Sequence, residues 1–420
     1  MKKMCLFAFI SIIAINAFGL DETELFFIPG EKLVFREISN ISQKIDGQYL
    51  GLVSKEEKGI LSSRELDGLY EGYFYISGEL KRDARFVQKP LDKNIKVALN
   101  FDPNNGFCSG NMEYPGLQGF PVFPKGPVSR GDKWTAYSHR YVDPLNKGVF
   151  TKITFLCEYA YDGFVKYADK SAEHITAQYA LRYKKQPGNG DPDLLEIKYA
   201  AHFVDIYLFA DGSGIAIVDK IGIGKDSNEE YRYSNGCTAL RSGTILTWIS
   251  TAGLYRRDLL IADFKNKISE KEGPEASNQN HDREIPDNEE GGSSNIGGIE
   301  VGETEEGVKL ALRDIHFMAD SSAIMSSERE RIDLLAELLL SVSNKTILVQ
   351  GHTASIGRFE GEKKLSEERA LAIINELIDR GIPASRFLYE GMGGSQPVAS
   401  NENEEGRKQN RRVEIVILDD

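Results

Sequence analysis

Residues 265–299 decide what this chain can fold into. They are built from Lys, Glu, Asn, Ser and Gly with two prolines, and hold almost no large apolar side chain. Runs such as Ser269-Glu270-Lys271-Glu272-Gly273-Pro274 and Glu289-Glu290-Gly291-Gly292-Ser293-Ser294 cannot bury enough surface to offset the entropy of ordering them. One hydrophobic core therefore cannot run through all 420 residues. At ~100–200 residues per domain, the length fits two or three domains. The sequence predicts a β-rich domain at 20–264, an acidic disordered linker at 265–299 and a further domain at 300–420. As a flexible coil, the linker would have an r.m.s. span of about 30 Å.

The first nineteen residues read as a secretory signal peptide. Lys2 and Lys3 precede an apolar run from Cys5 to Ala14, and Ala17 and Gly19 put small residues before a cleavage point at Leu20. The run is short for a membrane span. No cysteine follows it, so no lipoprotein attachment signal is seen. The expected location is the periplasm, with or without outer-membrane association. After cleavage Cys108, Cys157 and Cys237 remain, and their wide spacing favours three buried thiols over one disulfide plus a free thiol. No C-x-x-C pair and no His pair at i, i+4 occurs, so no metal or cofactor is expected. The formal net charge of −13 repels phosphate backbones and argues against a nucleic-acid partner.

Region 20–264 shows period-two runs such as Gly72-Tyr73-Phe74-Tyr75-Ile76 and Ile153-Thr154-Phe155-Leu156, separated by Gly, Asn, Asp and Pro clusters. This predicts a mainly-β domain, sandwich or barrel-like. Ala210-Asp211-Gly212-Ser213-Gly214 reads as a hairpin tip. A soluble domain and a small transmembrane barrel both give alternating strands. Ile153, Phe155, Cys157 and Tyr159, and likewise Ile175, Ala177, Tyr179 and Leu181, would suit lipid. Asp205 falls on one face with Phe203 and Tyr207, which favours the soluble reading. Trp134 is expected to pack in the β core.

Region 300–420 changes period. Ser327-Glu328-Arg329-Glu330 reads as a capping box, followed by an apolar stripe of Ile332, Leu335, Ala336, Leu338 and Leu339. Thr346 to Gln350 reads as a strand. Ser366 reads as the start of a second helix, with Ala370, Ile373, Ile374, Leu377 and Ile378 on one face. Gly381 and Pro383 end it. Val413, Ile415 and Ile417 alternate in a last strand. With an early strand around Leu312 to Phe317, the predicted order is β-α-β-α-β-β, an α/β sandwich with helices on one sheet face.

The same region carries ordered motifs. Gly351-His352-Thr353-Ala354-Ser355-Ile356-Gly357 is followed by Leu365-Ser366-Glu367-Glu368-Arg369-Ala370. Gly381-Ile382, Gly391-Met392-Gly393, Pro397, Asn401 and Gly406-Arg407-Lys408-Gln409-Asn410-Arg411-Arg412-Val413-Glu414-Ile415 come next. This resembles the OmpA-like C-terminal domain family, which includes peptidoglycan-associated lipoproteins and the flagellar-motor MotB type. Ile315-His316-Phe317 and Ser321-Ser322 resemble its opening strand and loop. The likeness covers about 120 residues, with nothing comparable in 20–299.

The resemblance implies non-covalent binding of the peptidoglycan stem peptide. An Asp would engage the amino-acid end of the stem diamino acid, and an Arg fifteen positions later would engage a carboxylate. A zwitterionic ligand calls for such a pair of opposite charges. Arg369 matches the family Arg and Thr353 the family Thr, whereas Ala354 stands where the family has Asp and Glu362 where it often has Asn. With Ser366 starting the helix, Arg369 would lie in its first turn and add to the positive dipole end. Three outcomes stay open. Glu362 or Asp320 supplies the missing carboxylate; Arg369 and avidity suffice; or wall binding is lost. The expectation is a non-enzymatic cell-envelope protein with weak or altered wall binding. The alternatives are an interaction scaffold for other envelope proteins and a transmembrane barrel anchored to the wall. His352 has no Ser or Cys nucleophile in evident reach in the sequence, and a hydrogen-bonding structural role is expected.

Overall fold

The computed structural model describes residues 22–63, 68–81, 91–108, 113–198, 201–222, 228–251, 257–272, 295–296, 298–313, 315, 317, 322–342, 345–355 and 357–419. The expected signal peptide, Asp320 and most of the expected linker lie outside these residues.

The N-terminal region is one sheet. β1 (Lys32–Ile45), β2 (Gln48–Ser62), β3 (Leu69–Lys81), β4 (Lys93–Asp102) and β5 (Gly106–Cys108) form one meander. β6 (Leu117–Gln118), β7 (Lys133–Val142), β8 (Thr151–Tyr167) and β9 (Lys170–Ala180) form another. β10 (Tyr183–Lys184) and β11 (Leu194–Lys198) lead to β12 (Ala201–Phe209) and β13 (Gly214–Ile221), which meet at the expected hairpin tip. β14 (Glu229–Tyr233) and β15 (Thr238–Thr251) complete the set. The main path is β5-β4-β3-β2-β1-β15-β13-β12-β9-β8-β7-β6, and β14 joins β11 to β15. Its ends nearly meet: Gly119 N, next to β6, donates to Phe107 O of β5 at 2.7 Å. Near-closure hides the edge strands.

Alternation sorts the side chains of this sheet. Ile153, Phe155, Cys157 and Tyr159, with Ile175, Ala177, Tyr179 and Leu181, are all buried in one apolar core. Their neighbours Thr154, Glu158 and Gln178 are exposed. The eight residues that suited lipid in the sequence thus face inward, the reverse of a membrane-spanning barrel's apolar outer band. Trp134 stacks on Tyr159 at 5.3 Å and donates to Val122 O at 2.8 Å. Cys108, Cys157 and Cys237 are free thiols, but only Cys157 is buried. Cys108 is exposed, which corrects the expectation of three buried thiols.

The same interior holds charge. Asp219 accepts from Arg140 Nη1 at 2.9 Å and Tyr179 Oη at 2.7 Å, and contacts His202 Nδ1 at 2.8 Å. His202 Nε2 lies 3.1 Å from Glu229, which also accepts from Tyr231 Oη at 2.9 Å. A histidine between two carboxylates donates from both nitrogens. Burial alone would lower its pKa, yet Asp219 and Glu229 outweigh burial and raise it.

The C-terminal sheet runs β16 (Asn295–Ile296), β17 (Ile299–Glu303), β18 (Gly307–Arg313), β21 (Arg412–Leu418), β19 (Ile347–His352), β20 (Phe387–Gly393). Among the described strands of this sheet, only β19 and β20 pair in parallel. α1 (Arg257–Glu272), α2 (Arg329–Leu340) and α3 (Phe359–Asp379) share its core, and α4 (Glu404–Asn410) precedes β21. The early strand lies at Gly307–Arg313 rather than around 312–317, because Val308, Leu310 and Leu312 supply the buried alternation. The expected capping box does not form. A 3-10 turn at Ser326–Glu328 precedes α2, and buried Glu328 accepts from Arg331 Nη1 at 2.8 Å. α3 ends as expected: Gly381 takes φ +95°, and Ile382 N donates to Leu377 O at 3.2 Å.

α1 crosses the expected boundary between 264 and 265. Its Phe264 and Ile268 are buried against β17 and β18, so burial of these two side chains orders residues that look like linker. The stretch between β15 and α1 is only residues 252–256, and 273–294 lies between two elements of the C-terminal unit.

The two regions touch. Leu348, Val416 and Leu418, on the sheet face away from the α2–α3 core, pack with Tyr75 and Leu91. Glu306 in the β17–β18 turn accepts from Tyr75 Oη at 2.8 Å, and Glu305 from Tyr73 Oη at 2.7 Å and Lys96 Nζ at 2.8 Å. Asp419 pairs with Lys32 of β1 and with Arg257 of α1.

Candidate functional site

The site is assembled where α3 crosses β19 and β20. A Cβ on Gly351 would lie 1.9 Å from Ser366 O, and one on Gly391 would lie 2.4 Å from Lys363 O, so only glycine permits this approach. Ser366 locks the crossing. Its Oγ accepts from Gly393 N at 2.9 Å and donates to Lys363 O at 2.7 Å. The middle of α3 is thereby fixed against the strand end from which Thr353 and Ala354 emerge.

Thr353 N donates to Gly393 O at 2.9 Å, while its buried Oγ1 has no hydrogen-bond partner among the described residues. Ala354 is 8% exposed. The next residue, Ser355, donates its N–H to Asn401 Oδ1 at 3.2 Å, and Asn410 Nδ2 donates to the same oxygen at 2.9 Å. The loop after β19 is thus tied to the segment before α4 through two asparagines of the motif.

Arg369 is mid-helix, because α3 starts at Phe359 rather than Ser366. The expected contribution of the helix N-terminus therefore does not reach it. Its guanidinium instead lies 4.8 Å from the ring centroid of Phe317, which favours a fixed orientation. Glu362 is buried in the first turn of α3, and its Oε1 accepts from Arg358 N at 3.0 Å. That carboxylate serves the start of its own helix. Asp320 lies outside the described residues.

Two further polar groups lie near the site. His352 is 2% exposed and neither ring nitrogen has a partner among the described residues, which corrects the expected hydrogen-bonding role. Burial and the Arg412 charge push its pKa down to about 4, so it is neutral at pH 7. Arg412 is buried and donates to Glu414 at 2.6 Å, while Arg411 turns to Glu404 at 2.7 Å. Successive residues entering a strand point to opposite faces, which gives this split.

Residues 316–411 match the family model described as OmpA family. Outer-membrane lipoprotein YfiB of Pseudomonas aeruginosa is 31% identical over 121 residues, which are 27% of this chain and 72% of that protein. The chain belongs to the OmpA family. Outer membrane protein A of Bordetella avium is 39% identical over 105 residues, 25% of this chain. The chain spans about half the length of that relative, 54%. Peptidoglycan-binding protein ArfA of Mycobacterium bovis is 31% identical over 103 residues, covering 24% of this chain and 32% of that protein. The matched residues make the C-terminal unit an OmpA-like domain, and the β-rich region at 22–251 precedes the match.

Proposed function

We propose that this is a non-enzymatic protein of the cell envelope, exported and periplasmic or outer-membrane-associated, whose OmpA-like domain meets the peptidoglycan stem peptide with half of the usual clamp. The observation that carries this reading is the pairing of a retained cation with a missing anion. Arg369 is held over Phe317, while the position expected to carry a carboxylate is the buried methyl of Ala354. Losing one partner of a desolvated charge contact costs roughly 2–5 kcal/mol, a factor of about 30 to several thousand in affinity. Glu362 already caps its own helix, which counts against it as the substitute carboxylate. In this reading residues 1–19 are removed on export, and the OmpA-like domain is an α/β sandwich with its helices on one sheet face.

Sedimentation of the full chain with purified peptidoglycan tests the proposal. Wild type is expected to pellet weakly, Ala354→Asp strongly, and Arg369→Ala not at all. If Ala354→Asp and Arg369→Ala both behave as wild type, Arg369 is not a wall contact. The domain is then an interaction scaffold, a second reading supported by the β domain already packed on its sheet.

A further inference from the structure

Ala354 sits between two backbone amides that are both tied. On one side Thr353 N donates to Gly393 O, at the end of β20, at 2.9 Å. On the other side Ser355 N donates to Asn401 Oδ1 at 3.2 Å, a side chain 46 residues further along the chain. A backbone held on one side only can turn about the residue in between. Held on both sides, it gives the Cα–Cβ bond at position 354 a single direction.

Asn401 is itself anchored. Asn410, at the end of α4, is fully buried and uses its whole hydrogen-bonding capacity. Its Nδ2 donates to Asn401 Oδ1 at 2.9 Å and to Ala399 O at 2.8 Å. Its Oδ1 accepts from Val398 N at 2.8 Å and Ala399 N at 3.0 Å. Arg407 Nη1 donates to Asn401 O at 2.9 Å. A Cβ on Gly406 would lie 2.0 Å from Ser400 O, so α4 is pressed against the residue before Asn401. Among the described residues the Asn401 side chain uses only its oxygen, which takes two donors. A backbone N–H can only donate, so the atom that faces Ser355 N is the oxygen.

We infer that Asn401 is a positioning residue for the wall-contact loop: its side-chain oxygen fixes the backbone beyond Ala354, and Asn410 fixes Asn401. This role rests on the wall-contact reading proposed above. It requires an acceptor at position 401, not an amide. A carboxylate there can take both donors, whereas a methyl group can take neither.

Two measurements on the full chain test this. One is amide hydrogen exchange in the segment from Gly351 to Ser355. The other is sedimentation with purified peptidoglycan in the Ala354→Asp background, where the direction of the new carboxylate depends on the loop. Asn401→Ala is expected to speed exchange at Ser355 roughly fivefold or more, the effect of one lost hydrogen bond. It is also expected to cut sedimentation of Ala354→Asp several-fold. Asn401→Asp keeps the acceptor and is expected to hold both readouts at the parent level. Unchanged exchange at Ser355 in Asn401→Ala would overturn the inference. So would equal losses in Asn401→Ala and Asn401→Asp, which would show that the acceptor is not what matters. Faster exchange spread over the whole OmpA-like domain would assign Asn401 to general stability and overturn it as well. Faster exchange at Ser355 with undiminished sedimentation would show a held loop that does not position a wall contact. If Ala354→Asp itself stays in the supernatant, the wall-contact reading fails, and the exchange arm still decides whether Asn401 holds the loop.

Discussion

Within the β domain, Arg140, Asp219, His202 and Glu229 lie inside a wall of aromatic rings such as Phe155, Tyr159 and Tyr179, whereas the OmpA-like core is almost wholly aliphatic, with Leu335, Ile373, Ile347 and Ile415 meeting between helix and sheet. The difference follows from shape. A sheet curled toward closure has a wide interior, filled here by large rings and a hydrogen-bonded ionic cluster. A sheet covered by helices needs only interlocking side chains. Buried ions gain little net stability but are costly to break singly, so the β domain should be the electrostatically sensitive half.

The sharpest way to break that comparison is Asp219→Ala, which leaves Arg140 and His202 buried without their shared anion. A loss of roughly 3–5 kcal/mol is expected in denaturant unfolding. A loss under about 1 kcal/mol would mean the cluster is not a structural keystone. In the other core, Leu335→Ala should cost roughly 2–5 kcal/mol as a cavity, with a loss that does not change between pH 3 and 7. A pH-dependent loss there would erase the contrast.

The acid limb sharpens it further. His202 and Arg140 hold the Asp219 pKa well below the usual carboxylate range, and His202 and Arg241 hold Glu229 down to about 2. Depressed carboxyls give stability that is present above their unfolded values and lost as pH falls through the folded ones. Acid unfolding of the β domain should therefore begin below about pH 4. Glu37 has the opposite sign. Burial and its cross-strand partner Glu57 raise it to about 7. The native state then holds that proton more tightly than the unfolded chain, so stability falls as pH rises from about 4.5 to 7. Glu37→Gln should remove this slope, worth roughly 2–3 kcal/mol, as read from melting curves at pH 5 and 8. An unchanged slope would assign it to another group.

The smallest effect is expected at the candidate site. Phe317→Ala removes the ring beneath Arg369 and should weaken wall sedimentation about two- to fivefold, from a cation–π contact of about 0.5–1 kcal/mol. An effect as large as that of Arg369→Ala would mean that Phe317 shapes the whole loop.

Much of the OmpA-like domain was legible because its signals are local. Ile332 to Leu339 and Ala370 to Ile378 keep helical period, Val413, Ile415 and Ile417 keep strand period, and Gly381 stops α3. The start of α3 was not legible. Residues 359–365 have no apolar stripe, and they are helical where Gly391 and Gly393 let the helix backbone come close to β20. α1 was missed because its apolar stripe of Leu260, Ile261, Phe264 and Ile268 straddles the composition boundary after Phe264, which leaves Ile268 alone in a charged run. At the candidate site, Thr353, Ala354 and Arg369 were proposed from motif spacing. Occupation of Glu362 by the Arg358 N–H and contact of Arg369 with Phe317 depend on groups brought together by folding.

By itself the sequence determined strand and helix periods, the position of the family motif and the absence of a carboxylate at Ala354, because each is written in neighbouring residues. Tertiary structure alone decided which face of each β strand points inward, since period two is the same in either sense until β5 meets β6. It also decided that the OmpA-like sheet is covered on both faces. Leu348, Val416 and Leu418 alternate with residues that serve the helix side, and only the arrival of Tyr75 and Leu91 across the domain boundary gives the second face its partner.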